Sequence, residues 1–339
     1  MKNAFLSAAA AIVFICLLAV LARGNRRTRM NRPEAEPAGS VCSTAQATAE
    51  PEPTAPSAAH AAQTAAYDPR FSIPVWKDGA LVQMDLQDYL TGVLLAELPA
   101  AFSDETRKAQ AIACRTYALH SYLHRRHAPA AVCTDSTCCQ GWTDPVTVPE
   151  AVREKAAQAV RETDGLVLRY QGELIEATFF SCSGGRTEAA VQVWGGNLPY
   201  LQSVESPGEE DASHFRDETR IPLADFQTAL QAKNPDAVFP EAKGAWVGEI
   251  THTEGGGVGE IELGGQKYAG TEIRKLFSLR STAFTLSLTD SEAIFETRGC
   301  GHRVGMSQYG AEAMAKAGKR FDEILKWYYR GVSVEPAEA

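Results

Sequence analysis

The 339-residue chain is 45% hydrophobic, enough apolar material for a packed core in one large domain or two modest ones. Its formal net charge of −9 provides no broad basic face to displace counterions from a nucleic-acid backbone, which excludes a nucleic-acid binder. No repeat at a fixed period occurs, and Gly255-Gly256-Gly257 lacks the strand-to-helix setting that cradles phosphate, which excludes a dinucleotide fold.

Ala4 to Ala22 is uncharged and almost wholly apolar, long enough as a helix to cross a hydrocarbon core of roughly 30 Å. A membrane anchor is therefore predicted over 1–24, with a cleaved signal peptide as the alternative, since Val20 and Ala22 pass as a small-residue cleavage site. The flanking charge runs the other way: Lys2 precedes the span while Arg23, Arg26, Arg27, Arg29 and Arg32 follow it, and the positive-inside rule would hold that side in the cytoplasm. Residues 25–67, rich in Pro, Ala, Thr, Ser and Glu, cannot offset ordering entropy by burial and are predicted to be a disordered tether.

The folded part is predicted over 68–335. Ser72 to Trp76 and Ala80 to Met84 form a hairpin around Lys77-Asp78-Gly79. Asp85 caps a helix that runs to Leu98 before Pro99, which leaves Glu97 at a helix end. Ser103 caps a second helix reaching Arg126, with Asp104 and Glu105 in its positive first turn. Pro149 and Gly165 bracket a third, followed by strands at Leu166 to Tyr170 and Leu174 to Phe180 around Gln171-Gly172. Leu223 to Lys233 is a helix, and Trp246 to His252, Val258 to Leu263 and Gln266 to Tyr268 are strands in a smaller lobe over about 210–290. Helices at Thr271 to Leu279, Met306 to Ala317 and Phe321 to Tyr329 enclose strands at Ala283 to Leu288 and Ala293 to Glu296. The class is α+β, mixed helices and antiparallel strands, one main domain with a smaller lobe.

Asp88 to Pro99, containing Glu97-Leu98-Pro99, followed by Lys108-Ala109-Gln110-Ala111-Ile112-Ala113-Cys114-Arg115-Thr116-Tyr117, resembles the stage II sporulation protein D and amidase-enhancer family. Ser183-Gly184-Gly185-Arg186-Thr187, Pro199-Tyr200-Leu201 and the run from Gly301 to Ala311 extend the resemblance over roughly 71–332. It implies a lytic transglycosylase of septal peptidoglycan with Glu97 as the catalytic acid. It also implies work in engulfment during endospore formation, with a membrane-integral partner and an amidase, stage II sporulation protein P, that strips stem peptides first. Because that substrate lies outside the cell, the expected placement is a single-pass cell-membrane protein with an extracytoplasmic domain.

The residues support part of this directly. A carboxyl beside Leu95, Leu98, Pro99 and Phe102 loses hydration and keeps its proton to higher pH, as a general acid must; the alternative is a Glu that ends its helix in solvent. With no second carboxylate in a comparable motif, one Glu serves as acid and then base if the sugar's own C6 hydroxyl attacks, leaving a 1,6-anhydro end. Lys108 and Arg115, two helical turns apart on one face, would hold the lactyl carboxylate of peptide-stripped muramic acid, unless they belong to a solvated face. Gln140, the Ser183 loop, Tyr200, His302 and Gln308 are further candidates for sugar contacts. Arg303, where most relatives have Gly, places bulk and charge beside the expected groove. A non-catalytic glycan-binding enhancer of a cell-wall amidase is the rival reading.

His127, Cys133, Cys138 and Cys139 supply four ligands of the kind zinc prefers, directly after the helix that carries Arg115. Some clostridial members of the family have a similar, non-catalytic zinc site. Four protein ligands leave no open position, so the ion would brace the loop around Gln140; a disulfide among these cysteines is the competitor.

Overall fold

The computed structural model describes residues 71–337. β1 (Ser72–Lys77) and β2 (Ala80–Asp85) form the expected hairpin, with Lys77 opposite Ala80. The residues between them, Asp78 and Gly79, have φ of 49° and 79°, the left-handed pair that a two-residue hairpin turn needs. Asp85 then caps α1 (Leu86–Glu97), its carboxylate accepting from the N–H groups of Gln87 at 2.8 Å and Asp88 at 3.2 Å. Leu98, preceding Pro99, is already extended, as the proline ring requires of the residue before it.

α2 (Asp104–Leu123) is the longest described helix, and it is capped from a distance. The Ser103 hydroxyl does not turn back on its own helix. Ser103 donates both its N–H and its hydroxyl to Glu312 Oε2, each at 2.8 Å, and Thr106 adds a third bond at 2.8 Å. A buried carboxylate on another helix thus meets the positive end of α2. At the other end α2 stops short of the predicted Arg126, because Arg125 has φ of 52°. The chain then returns as β3 (Val132–Cys133), parallel to β1.

α3 (Glu150–Glu162) leads into β4 (Leu166–Tyr170), paired with the two-residue β5 (Glu173–Leu174). The predicted long second strand is split: β6 (Phe179–Phe180) leaves the hairpin and pairs in parallel with Met306–Ser307. After α4 (Ala190–Trp194) comes β7 (Arg216–Pro222), a strand that its charged sequence conceals. α5 (Leu223–Lys233) follows, then the antiparallel β8 (Val247–His252), β9 (Val258–Leu263) and β10 (Gln266–Ala269), and α6 (Gly270–Leu276). β11 (Phe284–Leu288) and β12 (Glu292–Arg298) complete a sheet with β7. β13 (Met306–Ser307) takes the first two residues of a predicted helix, and α7 (Gln308–Lys316) begins where the Ser307 hydroxyl accepts the Gly310 N–H. α8 (Phe321–Tyr328) and β14 (Ser333–Pro336), paired with β4, end the fold. The class is α+β.

Two hydrophobic cores organise these elements. One draws on α1, α2, α3, β1 and α8 through residues such as Ile73, Leu90, Ile112, Val160 and Tyr328. The other lies wholly within 223–295 and centres on Phe226, Phe277 and Phe295, whose rings contact one another.

The predicted anchor at 1–24 and tether at 25–67 lie outside the described residues. Among the described residues no helix is long and apolar enough to cross a membrane, which corrects the single-pass placement. α2 has 20 residues but carries Asp104, Glu105, Arg107, Lys108 and Arg115.

Candidate active site and metal centre

Glu97 is the last residue of α1 and is 3% exposed. Burial pushes its carboxyl up to about 7, while the Gly141 N–H and the Gln308 amide pull the other way. Buried Leu98 and Phe102 flank it in sequence. Oε1 accepts the Gly141 N–H at 2.6 Å. A Cβ on residue 141 would lie 3.0 Å from Oε1, a tight contact that glycine avoids.

The segment after β3 delivers Gly141 to this position. Trp142 fills the gap left by Gly92 on α1, where a Cβ would lie 2.1 Å from the indole nitrogen. The Lys77 ammonium sits 4.0 Å from the centre of that indole. Gln140 is 1% exposed; its Oε1 accepts from the Tyr89 hydroxyl at 2.9 Å, and its Nε2 has no hydrogen-bond acceptor within the described residues. Gln308 opens α7 and turns its amide to Glu97. Glu97 and Gln308, candidates far apart in sequence, therefore meet, and Gln140 directly precedes the glycine whose N–H holds Glu97.

The other candidates are engaged elsewhere. Arg115 is fully buried and donates to the carbonyls of Val160 at 3.1 Å, Thr163 at 2.8 Å and Leu166 at 3.1 Å. It closes the C-terminal end of α3, a favourable place for a cation, and cannot offer its fork to a lactyl carboxylate. Lys108 shares that face but is paired with Glu162 at 2.8 Å and Glu105 at 3.2 Å, both of which raise its affinity for a proton. The predicted cationic pair thus ties α2 to α3.

Ser183 is buried, and its N–H and hydroxyl both donate to Glu209 Oε2, at 2.6 and 2.9 Å, with the Gly184 N–H at 3.1 Å. The Tyr200 hydroxyl accepts the Glu176 N–H at 3.1 Å, so its ring is a packing element. His302 lies between Phe180 and Trp194, its Nδ1 accepts the Val304 N–H at 3.1 Å, and burial pushes it down to about 3, which keeps it neutral.

Arg303 corrects the expectation of charge beside the groove. It is 2% exposed and turned inward, donating to the carbonyls of Ser183 at 2.7 Å, Arg186 at 2.8 Å and Gly255 at 2.6 Å, and to Glu188 at 3.2 Å. Gly141, Trp142, Glu188 and Glu209 were not singled out beforehand. Only the adjacency of residues 141 and 142 to the cysteine cluster could have signalled two of them, and nothing in the acidic run Glu209-Glu210-Asp211 marks its first member as the buried one.

The ligand atoms of His127, Cys133, Cys138 and Cys139 all lie within 4.8 Å of one another. The Sγ atoms of Cys138 and Cys139 are 3.9 Å apart, near the edge of about 3.8 Å expected for a tetrahedron with zinc–sulfur bonds of roughly 2.3 Å. All three cysteines are thiols, and a hydrogen bond from Cys139 holds the Cys133 thiol below its usual range. The donor set, its number and its spacing fit a closed four-coordinate metal site.

Comparison with known proteins bears on the same residues. A family model described as "Stage II sporulation protein" matches residues 77–170, the stretch that holds Glu97, Gln140 and all four cluster residues. The chain is 35% identical over 281 residues to stage II sporulation protein D of Bacillus subtilis (strain 168), covering 79% of this chain and 80% of that protein. It is 32% identical over 283 residues to the protein of the same name in Bacillus amyloliquefaciens, with the same coverage. It is also 26% identical to the amidase enhancer of Bacillus subtilis (strain 168), over 72% of this chain and 40% of that protein. With its motifs in order along most of its folded length, the chain belongs to the stage II sporulation protein D family.

Proposed function

We propose that this protein is a lytic transglycosylase that cuts the MurNAc–GlcNAc bond of peptide-stripped peptidoglycan strands, in septal wall remodelling and engulfment during endospore formation. The observation that carries the reading is Glu97: a carboxyl 3% exposed, raised to about 7 and fixed through one oxygen by the Gly141 N–H. Near neutrality such a group is partly protonated and can donate to the glycosidic oxygen as the bond to the anomeric carbon breaks. The resulting carboxylate then takes the proton of the sugar's C6 hydroxyl as that oxygen closes on the anomeric carbon. Water is not consumed, and the product ends in a 1,6-anhydro ring. The Gln140 Nε2 is suited to the neutral hydroxyl and acetamide groups of such a strand, and the Gln308 amide faces the acid itself.

His127, Cys133, Cys138 and Cys139 would hold a structural zinc. With four protein ligands the ion would supply bracing and not an activated water. Its ligand loop runs straight into Gln140 and Gly141, so the brace would act on the backbone group that orients Glu97. An amidase that removes stem peptides and a membrane-integral partner belong to this reading as family expectations. The similarity to a protein named amidase enhancer favours a second reading, a glycan-binding module that stimulates an amidase without cutting the strand.

Incubating the protein and its Glu97→Gln variant with amidase-stripped peptidoglycan separates the two. Release of soluble sugars by the wild type, with none from a variant that still sediments with the glycan, supports catalysis. Equal behaviour of the two proteins sinks it.

A further inference from the structure

Two cysteines outside the metal cluster face each other. Cys182 and Cys300 form an antiparallel bridge in which the Cys300 N–H donates to the Cys182 carbonyl at 2.7 Å and the Cys182 N–H returns a bond of 3.3 Å. A mutually bonded pair of this kind holds its Cα atoms about 5.5 Å apart with both side chains on one face. That separation lies inside the roughly 4.4–6.8 Å that a disulfide spans. Both side chains are fully buried in one small apolar cluster with Ala212, against Phe215 and Tyr309. The Cys182 thiol donates to the His214 carbonyl at 3.6 Å, a weak bond that offers little resistance to a covalent one.

We propose that Cys182 and Cys300, thiols in this structure, are a disulfide site. One thiolate attacks a sulfur of an external disulfide, of the glutathione or thiol-oxidase class, and displaces one of its thiols. The second cysteine then attacks that mixed disulfide and displaces the other thiol. The two cysteine protons leave on the oxidant's thiols, so one disulfide is exchanged for another. Since neither side chain reaches solvent, the exchange takes place before the fold closes, and the finished bond is shielded from reductant.

The position gives the bond a purpose. The chain's excursion through the second core, 223–295, lies wholly between Cys182 and Cys300, after Ala190, Tyr200, Leu201 and Val204 have packed into the first. A bond here closes the neck of that excursion, beside the point where Arg303 donates to the Ser183 carbonyl. Closing so long a loop removes much freedom from the unfolded chain and should raise stability accordingly. The inference does not depend on the glycosidic reaction.

The test uses protein produced in an oxidising compartment with zinc supplied, alkylated in denaturant with N-ethylmaleimide and mapped as peptides. The expected result is a cross-linked peptide joining Cys182 to Cys300, with Cys114 alkylated. The unfolding midpoint should drop by several degrees under a phosphine reductant, and a Cys182→Ala/Cys300→Ala variant should show no such response. Should that variant not fold, the peptide map of the wild type decides alone. Full alkylation of both cysteines, or their linkage to other partners, overturns the proposal.

Discussion

Glu97 ends α1 in a buried position, and burial opposes its ionisation against the pull of the Gly141 N–H and the Gln308 amide. A carboxyl raised from 4.5 to about 7 binds more protons folded than unfolded between those values, so folding stability falls as pH rises through that window and is not penalised below it. Glu97→Gln keeps an acceptor for the Gly141 N–H and removes the buried charge. The variant should therefore match the wild type near pH 4 and exceed it at pH 8 by roughly 1–3 kcal/mol, read by urea unfolding. Under the proposed mechanism the wild-type kcat/KM falls about tenfold per unit above pH 7, as the acid form is lost. Arg115 makes the opposite case. Arg115→Met leaves three buried carbonyls without their donor and should cost about 2–4 kcal/mol of stability while KM for stripped glycan stays unchanged. A tenfold rise in KM in folded variant protein would restore Arg115 to the substrate.

At the scale of elements, local chemistry made much of the chain legible. Asp85 caps α1, the Asp78-Gly79 pair turns the first hairpin, and Ser307 starts α7, each through a residue type whose bonding preference is intrinsic. β7 escaped because its charged residues alternate along a strand with no fully buried position, and its pairing with β12 is a tertiary event. β6 was misjudged because Met306–Ser307, distant in sequence, competes for its edge. The cysteine cluster was legible by spacing, and β3 sets it beside β1. That the segment after it meets Glu97 through Gly141 was not, since that bond is made by a backbone group. The expectation is about one zinc per chain by elemental analysis. Removing it should speed hydrogen exchange at the Gly141 amide and lower cleavage together. Metal-free protein with unchanged exchange would sever the loop from the site.

For the molecule as a whole, the contents of the site were harder to read than its centre. Glu97 and Gln308 could be named because they sit in short runs resembling a family. Ser183, His302 and Arg303 sit in such runs as well, yet Glu209, the Val304 N–H and Glu188 with Gly255 hold them, partners that only the assembled fold supplies. Arg303 takes φ of 65° where glycine is at ease, and the strain is offset by bonds linking the Ser183 loop to the Gly255 turn. In the proposed reaction the fold positions one carboxyl to cut glycan without water. Cleaving stripped peptidoglycan in ¹⁸O-labelled water and weighing the new muramoyl ends tests it most directly. The account predicts 1,6-anhydro ends carrying no ¹⁸O; reducing ends that carry ¹⁸O would make the protein a hydrolase and contradict it.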